Sequence, residues 1–392
     1  MIRRVFIIMH NDLMHYPPMI SLIDILCELG EKVTYIGDYS NSPTISRFQS
    51  QNVGFVHLPY KRSGSQFHII KTQRNYKRQL IKTLTQLEVN KNDLIWYIYS
   101  DSATFIHDIL ARYRYLVHYY EFDRQDYSWK FKLLYPSFTQ EKLVHGAVGV
   151  IHCEYNRAQI FKGMTGLDRV PFVLPNKPYV KEGAMDENKM PTDIKKLIDD
   201  VRSKVRGKKV VLYQGIFNSK ERRLEEFCKA ISLLPEEYML IAMGRGDSSF
   251  DQLKMSYESD RILFIPFIIP PFHLLVTQLA SFGVLSYSPV SKTYYGVINP
   301  LYCAPNKIFE YSRYGKPMVS NDIPGLSFIF EKYSCGCVVT DPITPDKIAE
   351  TLIRISADYH KYSHGAMAYY DSINLHSIVS NILLESTSNV NV

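Results

Sequence analysis

An unbroken apolar run, Val5-Phe6-Ile7-Ile8-Met9, leads through Tyr16-Pro17-Pro18 into Ile20, Leu22, Ile23, Leu26 and Leu29 at helical spacing. Past Gly30, Val33-Thr34-Tyr35-Ile36 is apolar again. Strand, helix and strand within about thirty residues form a βαβ crossover, which requires a parallel sheet. The chain is therefore of the α/β class from its first elements. The alternation continues with strands expected near 53–58, 94–99, 114–120, 147–153 and 170–174, and helices near 68–87, 102–113, 137–145 and 157–164.

At Asn176-Lys177-Pro178 the pattern breaks into a polar, Lys- and Glu-rich segment reaching about Met190, as a linker would. A charged helix near 194–205 then opens a second series. A strand at 209–213 ends at Gln214-Gly215, one at 238–243 ends at Gly244-Arg245-Gly246, and one at 262–265 ends at Pro266-Phe267. Helices fall near 223–234 and 271–279, followed by strands at 283–287 and 337–339 and a last helix at 345–355. A chain of 392 residues suits two such domains. The expected architecture is two Rossmann-like domains, 1–178 and 190–371, facing each other across a cleft, with a tail at 372–392 able to pack back on the first.

Apolar residues make up 46% of the chain and charged residues 22%, a globular balance. No apolar run approaches the roughly 20 residues needed to span a bilayer, and Met-Ile-Arg-Arg runs straight into a strand without a signal peptide, so a cytoplasmic protein is expected. The cysteines are scattered, and Cys335-Gly-Cys337 lacks both metal-ligand spacing and a second pair. Asp199-Asp200 lies in a charged helix and reads as a solvated face. No metal site is expected.

The net charge of +7 resides wholly in the first half: residues 1–180 hold 22 Lys and Arg against 15 Asp and Glu, whereas the remainder holds 24 of each. Within it, Lys61, Arg62, Lys71, Arg74, Lys77, Arg78 and Lys82 are interleaved with Phe67, Ile69, Ile70, Tyr76, Leu80 and Ile81. Segment 61–82 is consistent either with docking on anionic lipid at a membrane face or with a solvated basic helix whose apolar side is core. No nucleic-acid module accompanies it, and nucleic acid is not an expected partner.

Residues 300–326 have the makings of a phosphate-receiving helix. Pro305 suits a first turn, and Gly315 with Pro317 ends the helix before Met318-Val319-Ser320 resumes as a strand. Free N–H groups at the helix start, with Lys307 beside them, form an anion site, and Glu310 one turn on can accept hydrogen bonds from a diol. Phosphate at one end and a diol at the other describe a nucleotide. Arg222, just past a Gly-bearing strand end, is a second phosphate candidate.

Tyr213-Gln214-Gly215, Arg222-Arg223-Leu224-Glu225, Met243-Gly244-Arg245-Gly246, Pro266-Phe267, Pro305-Asn306-Lys307-Ile308-Phe309-Glu310-Tyr311, Gly315-Lys316-Pro317 and Pro324-Gly325-Leu326 occur in this order over 209–355. Together they resemble the donor-binding domain of GT-B glycosyltransferases, specifically the group-one or family-four transferases of bacterial polysaccharide assembly. The resemblance implies a UDP-, GDP- or dTDP-linked sugar as donor and no cofactor. Arg222 and Lys307 neutralise the diphosphate, and Asn306 and Glu310 contact the nucleotide, with Glu310 on the ribose. Gly215 and Gly244 lie in loops that allow close backbone approach, and Phe267 and Ile268 border the base. The family carries an acid eight residues before the ribose-binding one, where this chain has Tyr302. That leaves the sugar hydroxyls to main-chain groups of a 295–301 loop, with Val297 and Ile298 as candidates.

On the acceptor side the candidates are His10, Asn11 and Asp12 after the first strand, and His118 with Glu121 at another strand end. Glu121 lies in Tyr119-Tyr120-Glu121, similar to a histidine-acid pair found in the family. An imidazole or carboxylate here would serve as base in an inverting reaction, whereas the mechanism the resemblance implies is retaining and needs none. The expected activity is sugar transfer to a hydroxyl of a glycan or lipid-linked acceptor in bacterial surface polysaccharide synthesis. The alternatives are a sugar-nucleotide epimerase on the same architecture and a catalytically silent partner subunit, the latter raised by Tyr302.

Overall fold

The computed structural model describes residues 3–124, 126–180, 185, 187–218 and 221–388. The chain divides into two compact units, Met1–Tyr179 with Asn374–Val392, and Val180–Ile373. Much of the expected linker, 181–184 and 186, lies outside the described residues.

The first unit contains β1 (Arg4–Met9), β2 (Lys32–Gly37), β3 (Gly54–His57), β4 (Leu94–Ile98), β5 (Arg114–Tyr119), β6 (Gly149–His152) and β7 (Phe172–Val173). They form one parallel sheet in the order β3-β2-β1-β4-β5-β6-β7. Strands β1 and β4 are buried along almost their whole length, as strands covered by helices on both faces must be. The Pro17–Glu28 helix starts on a proline and buries Met19, Leu22, Ile23 and Leu26.

A Leu375–Ser388 helix belongs to this unit despite its place at the far end of the chain. His376 contacts Glu28 at 2.7 Å, and Arg3 donates to the Leu383 carbonyl at 2.8 Å.

The second unit contains β8 (Lys209–Phe217), β9 (Tyr238–Gly246), β10 (Ile262–Pro266), β11 (Phe282–Leu285), β12 (Met318–Asn321) and β13 (Gly336–Val339), paired in parallel in the order β10-β9-β8-β11-β12-β13. Its sheet is packed on both sides, with Val210, Leu212, Ile241 and Tyr311 in one apolar cluster and Val211, Tyr213, Leu240 and Ile348 in the other. In each sheet the strand order reverses beside the first strand of the unit, at β1/β4 and at β8/β11. The carboxyl ends of strands at such a reversal are where open α/β sheets bind ligands.

Two expectations are corrected. Strands β8 and β9 run on through Gly215 and Gly244, which are paired with each other in the sheet rather than placed in loops. The 295–301 segment is a helix, Tyr294–Leu301, although it contains Pro300. Thr293 caps it by accepting from the Gly296 N–H, and proline late in a short helix forfeits only one turn's hydrogen bond.

Candidate functional site

At the carboxyl end of β8, Gln214, Gly215 and the Asn306–Arg313 helix come together. Pro305 occupies the N-cap position and supplies no side-chain cap; the Ile308 N–H donates to its carbonyl at 3.4 Å, so the Asn306 and Lys307 N–H groups ahead of it have no capping side chain. Lys307 follows, with its Nζ 4.3 Å from the Tyr213 ring centroid and 5.5 Å from that of Tyr287. It makes no ion pair among the described residues. Burial, reinforced by the charge of Arg222, lowers its ammonium to about 7, with Glu310 opposing the shift. Arg222 stacks on the other available ring surface, its guanidinium 4.1 Å from the Tyr287 centroid, and its closest carboxylate contact, to Glu221, is 4.0 Å. Two cations thus share an aromatic wall, and neither is closely neutralised.

The wall is itself held. Asn321 Oδ1 accepts from the Tyr287 N–H at 2.9 Å, and Asn321 Nδ2 donates to the Tyr287 carbonyl at 2.7 Å. Ser286 Oγ accepts the Arg223 N–H at 3.0 Å, fixing the segment that carries Arg222.

One turn after Lys307, Glu310 is buried and accepts from Gln214 Nε2 at 2.5 Å and from His273 Nε2 at 3.2 Å. Thr277 Oγ donates to Gln214 Oε1 at 2.8 Å, which turns the Gln214 amide so that its NH2 faces Glu310. Burial alone would raise the Glu310 carboxyl; His273, Gln214 and Lys307 outweigh it and hold the group below the usual carboxylate range.

Gly244 is required by close approach and Gly215 by its backbone conformation. Gly244 has φ +156°, and a Cβ there would lie 1.8 Å from the Gly215 carbonyl oxygen; Gly215 has φ +133°, and a Cβ would lie 3.2 Å from Lys307 Nζ. The two glycines therefore keep a strand end bare beside the lysine.

The base-side pair separates. Phe267 is 47% exposed, with the Arg245 guanidinium 5.5 Å from its ring, but Ile268 is 1% exposed because its side chain turns into the core. Val297 and Ile298 lie on the Tyr294–Leu301 helix, where the Val297 N–H is taken by Thr293 O and the Ile298 carbonyl by the Tyr302 N–H. The expected main-chain contacts from a loop are therefore not available in this form.

In the first unit, His10 is set against Tyr60 and contacts Ser100 Oγ at 3.1 Å through Nδ1; burial lowers it to about 4, against the pull of Asp101. Asn11 Nδ2 donates to Tyr16 at 2.7 Å. Asp12 is a cap: it accepts from the Met14 N–H at 2.9 Å and from Ser40 Oγ at 2.5 Å. His118 is buried, with Nδ1 accepting from Trp96 at 3.2 Å, and it lines a cavity of about 10 Å³ beside Pro18, Leu22 and Leu375. That is room for about one water, and burial lowers the ring to about 3. Glu121 is exposed, and its carboxylate lies 3.2 Å from the buried Arg157, which also donates to the Tyr120 carbonyl.

Neither a protein-family model nor a curated protein sequence matches this chain. Solved structures do. Anabaena Alr3699/HepE in complex with UDP and glucose superposes at a TM-score of 0.65 and 15% identity, covering 98% of this chain and 100% of that one. The fold is GT-B.

WaaG, a glycosyltransferase involved in lipopolysaccharide biosynthesis, shares the GT-B fold at a TM-score of 0.59 and 12% identity over 98% of this chain and 99% of that one. A putative UDP-N-acetylglucosamine 2-epimerase from Listeria monocytogenes matches at 0.63 and 9% over 100% and 97%. GT-B architecture accordingly spans more than one named chemistry, and the site residues must carry the functional reading.

Of the residues the structure gathers here, the sequence singles out Arg222, Lys307, Glu310, Gly215 and Gly244 and does not single out Tyr213, Tyr287, His273, Thr277 and Asn321 as site candidates. Tyr213 stood beside Gln214-Gly215 in plain view, and an aromatic preceding a strand-end glycine was the available signal. His273, Thr277 and Asn321 reach the site from separate elements and carry no local pattern.

Proposed function

We propose that this chain is a glycosyltransferase that moves a sugar from a nucleotide-diphosphate donor to a hydroxyl of a glycan or lipid-linked acceptor, with retention, in bacterial surface polysaccharide synthesis. The observation that carries this reading is the pairing of Lys307 with Arg222 over Tyr213 and Tyr287, beside uncapped helix N–H groups and one turn from an ionised Glu310. A half-buried arginine beside a lysine whose ammonium is held down to about 7, neither closely paired with a carboxylate, leaves a site that an anion would complete. A diphosphate fits both the charge and the bare strand end at Gly215, and Glu310 keeps lone pairs for ribose hydroxyls.

In this mechanism Arg222 and Lys307 stabilise the charge that grows on the leaving diphosphate as the glycosidic bond breaks. The departing phosphate oxygen takes the acceptor proton on the same face. Asn306 would contribute at the helix start, Phe267 would lie along the base, and Glu121 would contact the acceptor or the transferring sugar. His10, neutral at pH 7, lies by another strand end as a second acceptor-side group. The HepE complexes with UDP and with UDP-glucose make UDP the first base to try. The working location is the cytoplasmic face of a membrane, approached through the basic segment 61–82.

The test incubates the purified chain with UDP-, GDP- and dTDP-sugars, with and without glycan acceptors, and follows the sugar by NMR. Release of nucleoside diphosphate with a new α- or β-linkage matching the donor supports the proposal. Acceptor-free conversion of one nucleotide sugar into its epimer would favour the epimerase alternative instead. Neither binding nor turnover of any donor would favour a silent partner subunit.

A further inference from the structure

The Gln66–Gln86 helix divides sharply into two faces. Gln73, Tyr76, Leu80 and Leu84 are buried, so one side of the helix belongs to the core. The opposite stripe, at spacings of four, three, four and four, is Phe67, Lys71, Arg74, Arg78 and Lys82, all exposed, with Phe67 at 88%. None of these four basic residues makes an ion pair among the described residues. Lys77, on the flank, is paired with Asp108 at 2.7 Å, and Arg62 with Asp101 at 3.3 Å.

Beside this helix sits the short Trp129–Leu134 helix, which has no buried residue. Tyr135 joins the two elements: its hydroxyl accepts from Gln73 Nε2 at 2.8 Å and donates to Gln73 Oε1 at 3.0 Å. Phe131 stacks on Tyr127 at 4.3 Å and faces Phe138, so one side of the short helix is anchored by aromatic contacts. Its other residues point outward: Trp129 is 68% exposed, Leu133 70% and Leu134 52%, flanked by exposed Lys130 and Lys132. Asp126 is the only acid in the adjoining 124–134 stretch.

Tryptophan, two leucines and a phenylalanine displayed in water are costly unless something covers them. The lysines and arginines around them select an anionic cover. Among the described residues no helix is long and apolar enough to cross a membrane, so contact would be in the plane of the surface.

We propose that the Trp129–Leu134 helix and the Phe67–Lys82 stripe form one docking surface for an anionic lipid bilayer. Trp129, Leu133, Leu134 and Phe67 enter the headgroup region, and Lys71, Arg74, Arg78, Lys82, Lys130 and Lys132 meet the phosphates. The proposal sharpens the peripheral location but does not depend on the donor chemistry, because its test contains no nucleotide.

The full chain is mixed with phosphatidylcholine vesicles, with and without phosphatidylglycerol. The chain contains two tryptophans, and Trp96 is fully buried, so a change in emission reports Trp129. The expected result is a blue shift and co-sedimentation with the anionic vesicles alone, the shift vanishing in Trp129→Phe. Arg74→Gln with Arg78→Gln should weaken binding about thirty-fold. Leu133→Ser with Leu134→Ser should also weaken it, without altering thermal stability, since both side chains are exposed. Absence of vesicle binding, or equal binding by the leucine variant, would overturn the proposal. So would a wild-type dimer that the leucine variant converts to monomer, which would mean a second copy of the chain covers the patch.

Discussion

Gln214 Nε2 lies 2.5 Å from Glu310 Oε2, joining the later half of strand β8 to the helix that begins beside Lys307. Because Thr277 fixes the opposite end of that amide, the carboxylate is oriented before any ligand binds. A buried acid set in this way is costly to maintain unless its remaining lone pairs have a use.

Removing the acid tests this. Glu310→Ala should strand the Gln214 and His273 donors and destabilise the protein by about 1–3 kcal/mol, read by urea unfolding. The same variant should lose its thermal response to nucleotides. Since the folded Glu310 pKa is depressed, its contribution is present above the unfolded value of about 4.3 and is lost as pH falls through the lower folded value. Stability of Glu310→Ala should therefore fall less steeply than that of the wild type on acidification below about pH 4.

Lys307 gives the same direction of pH dependence in a higher window. Its folded value of about 7 lies below the unfolded one of about 10.4, so between those values the unfolded chain holds the extra proton and wild-type stability gains from rising pH. Lys307→Met should lack that gain. A bound diphosphate should return the proton, so calorimetry at pH 8 in two buffers of different ionisation enthalpy should show proton uptake in the wild type and none in Lys307→Met.

The strand-end glycines should separate binding from stability. Gly215→Ala places a methyl 3.2 Å from Lys307 Nζ at φ +133°, where it should weaken nucleotide binding while costing about 1–3 kcal/mol of stability. Gly244→Ala forces backbone against backbone, 1.8 Å from the Gly215 carbonyl, and should be the more damaging to folding, as measured by unfolding midpoint.

The fold was legible because buried parallel strands produce continuous apolar runs, as at Val5–Met9 and Tyr238–Met243, and because glycine and proline punctuate the ends. Charge at a helix start was equally readable in Lys307. Asp12 and His118 show what a strand-end polar residue leaves open, because it looks alike in sequence whether it faces a ligand or satisfies its own backbone and core. Asp12 caps Met14, and His118 takes the Trp96 N–H. The Tyr294–Leu301 helix was hidden by Gly296 and Pro300, which local propensity disfavours but a capping Thr293 makes tolerable. The Trp129–Leu134 helix escaped notice because a single turn and a half carries too few residues for a periodic signal.

The most direct test of a nucleotide-diphosphate site is calorimetric titration of UDP, GDP and dTDP into the wild-type chain and into Lys307→Met. The account predicts saturable binding of at least one nucleotide, worth about 2.7 kcal/mol of added stability at a hundredfold excess over Kd, and its loss in the variant. Equal affinity in the two proteins would contradict it, since the cation placed at the centre of the site would then have no part in holding the ligand.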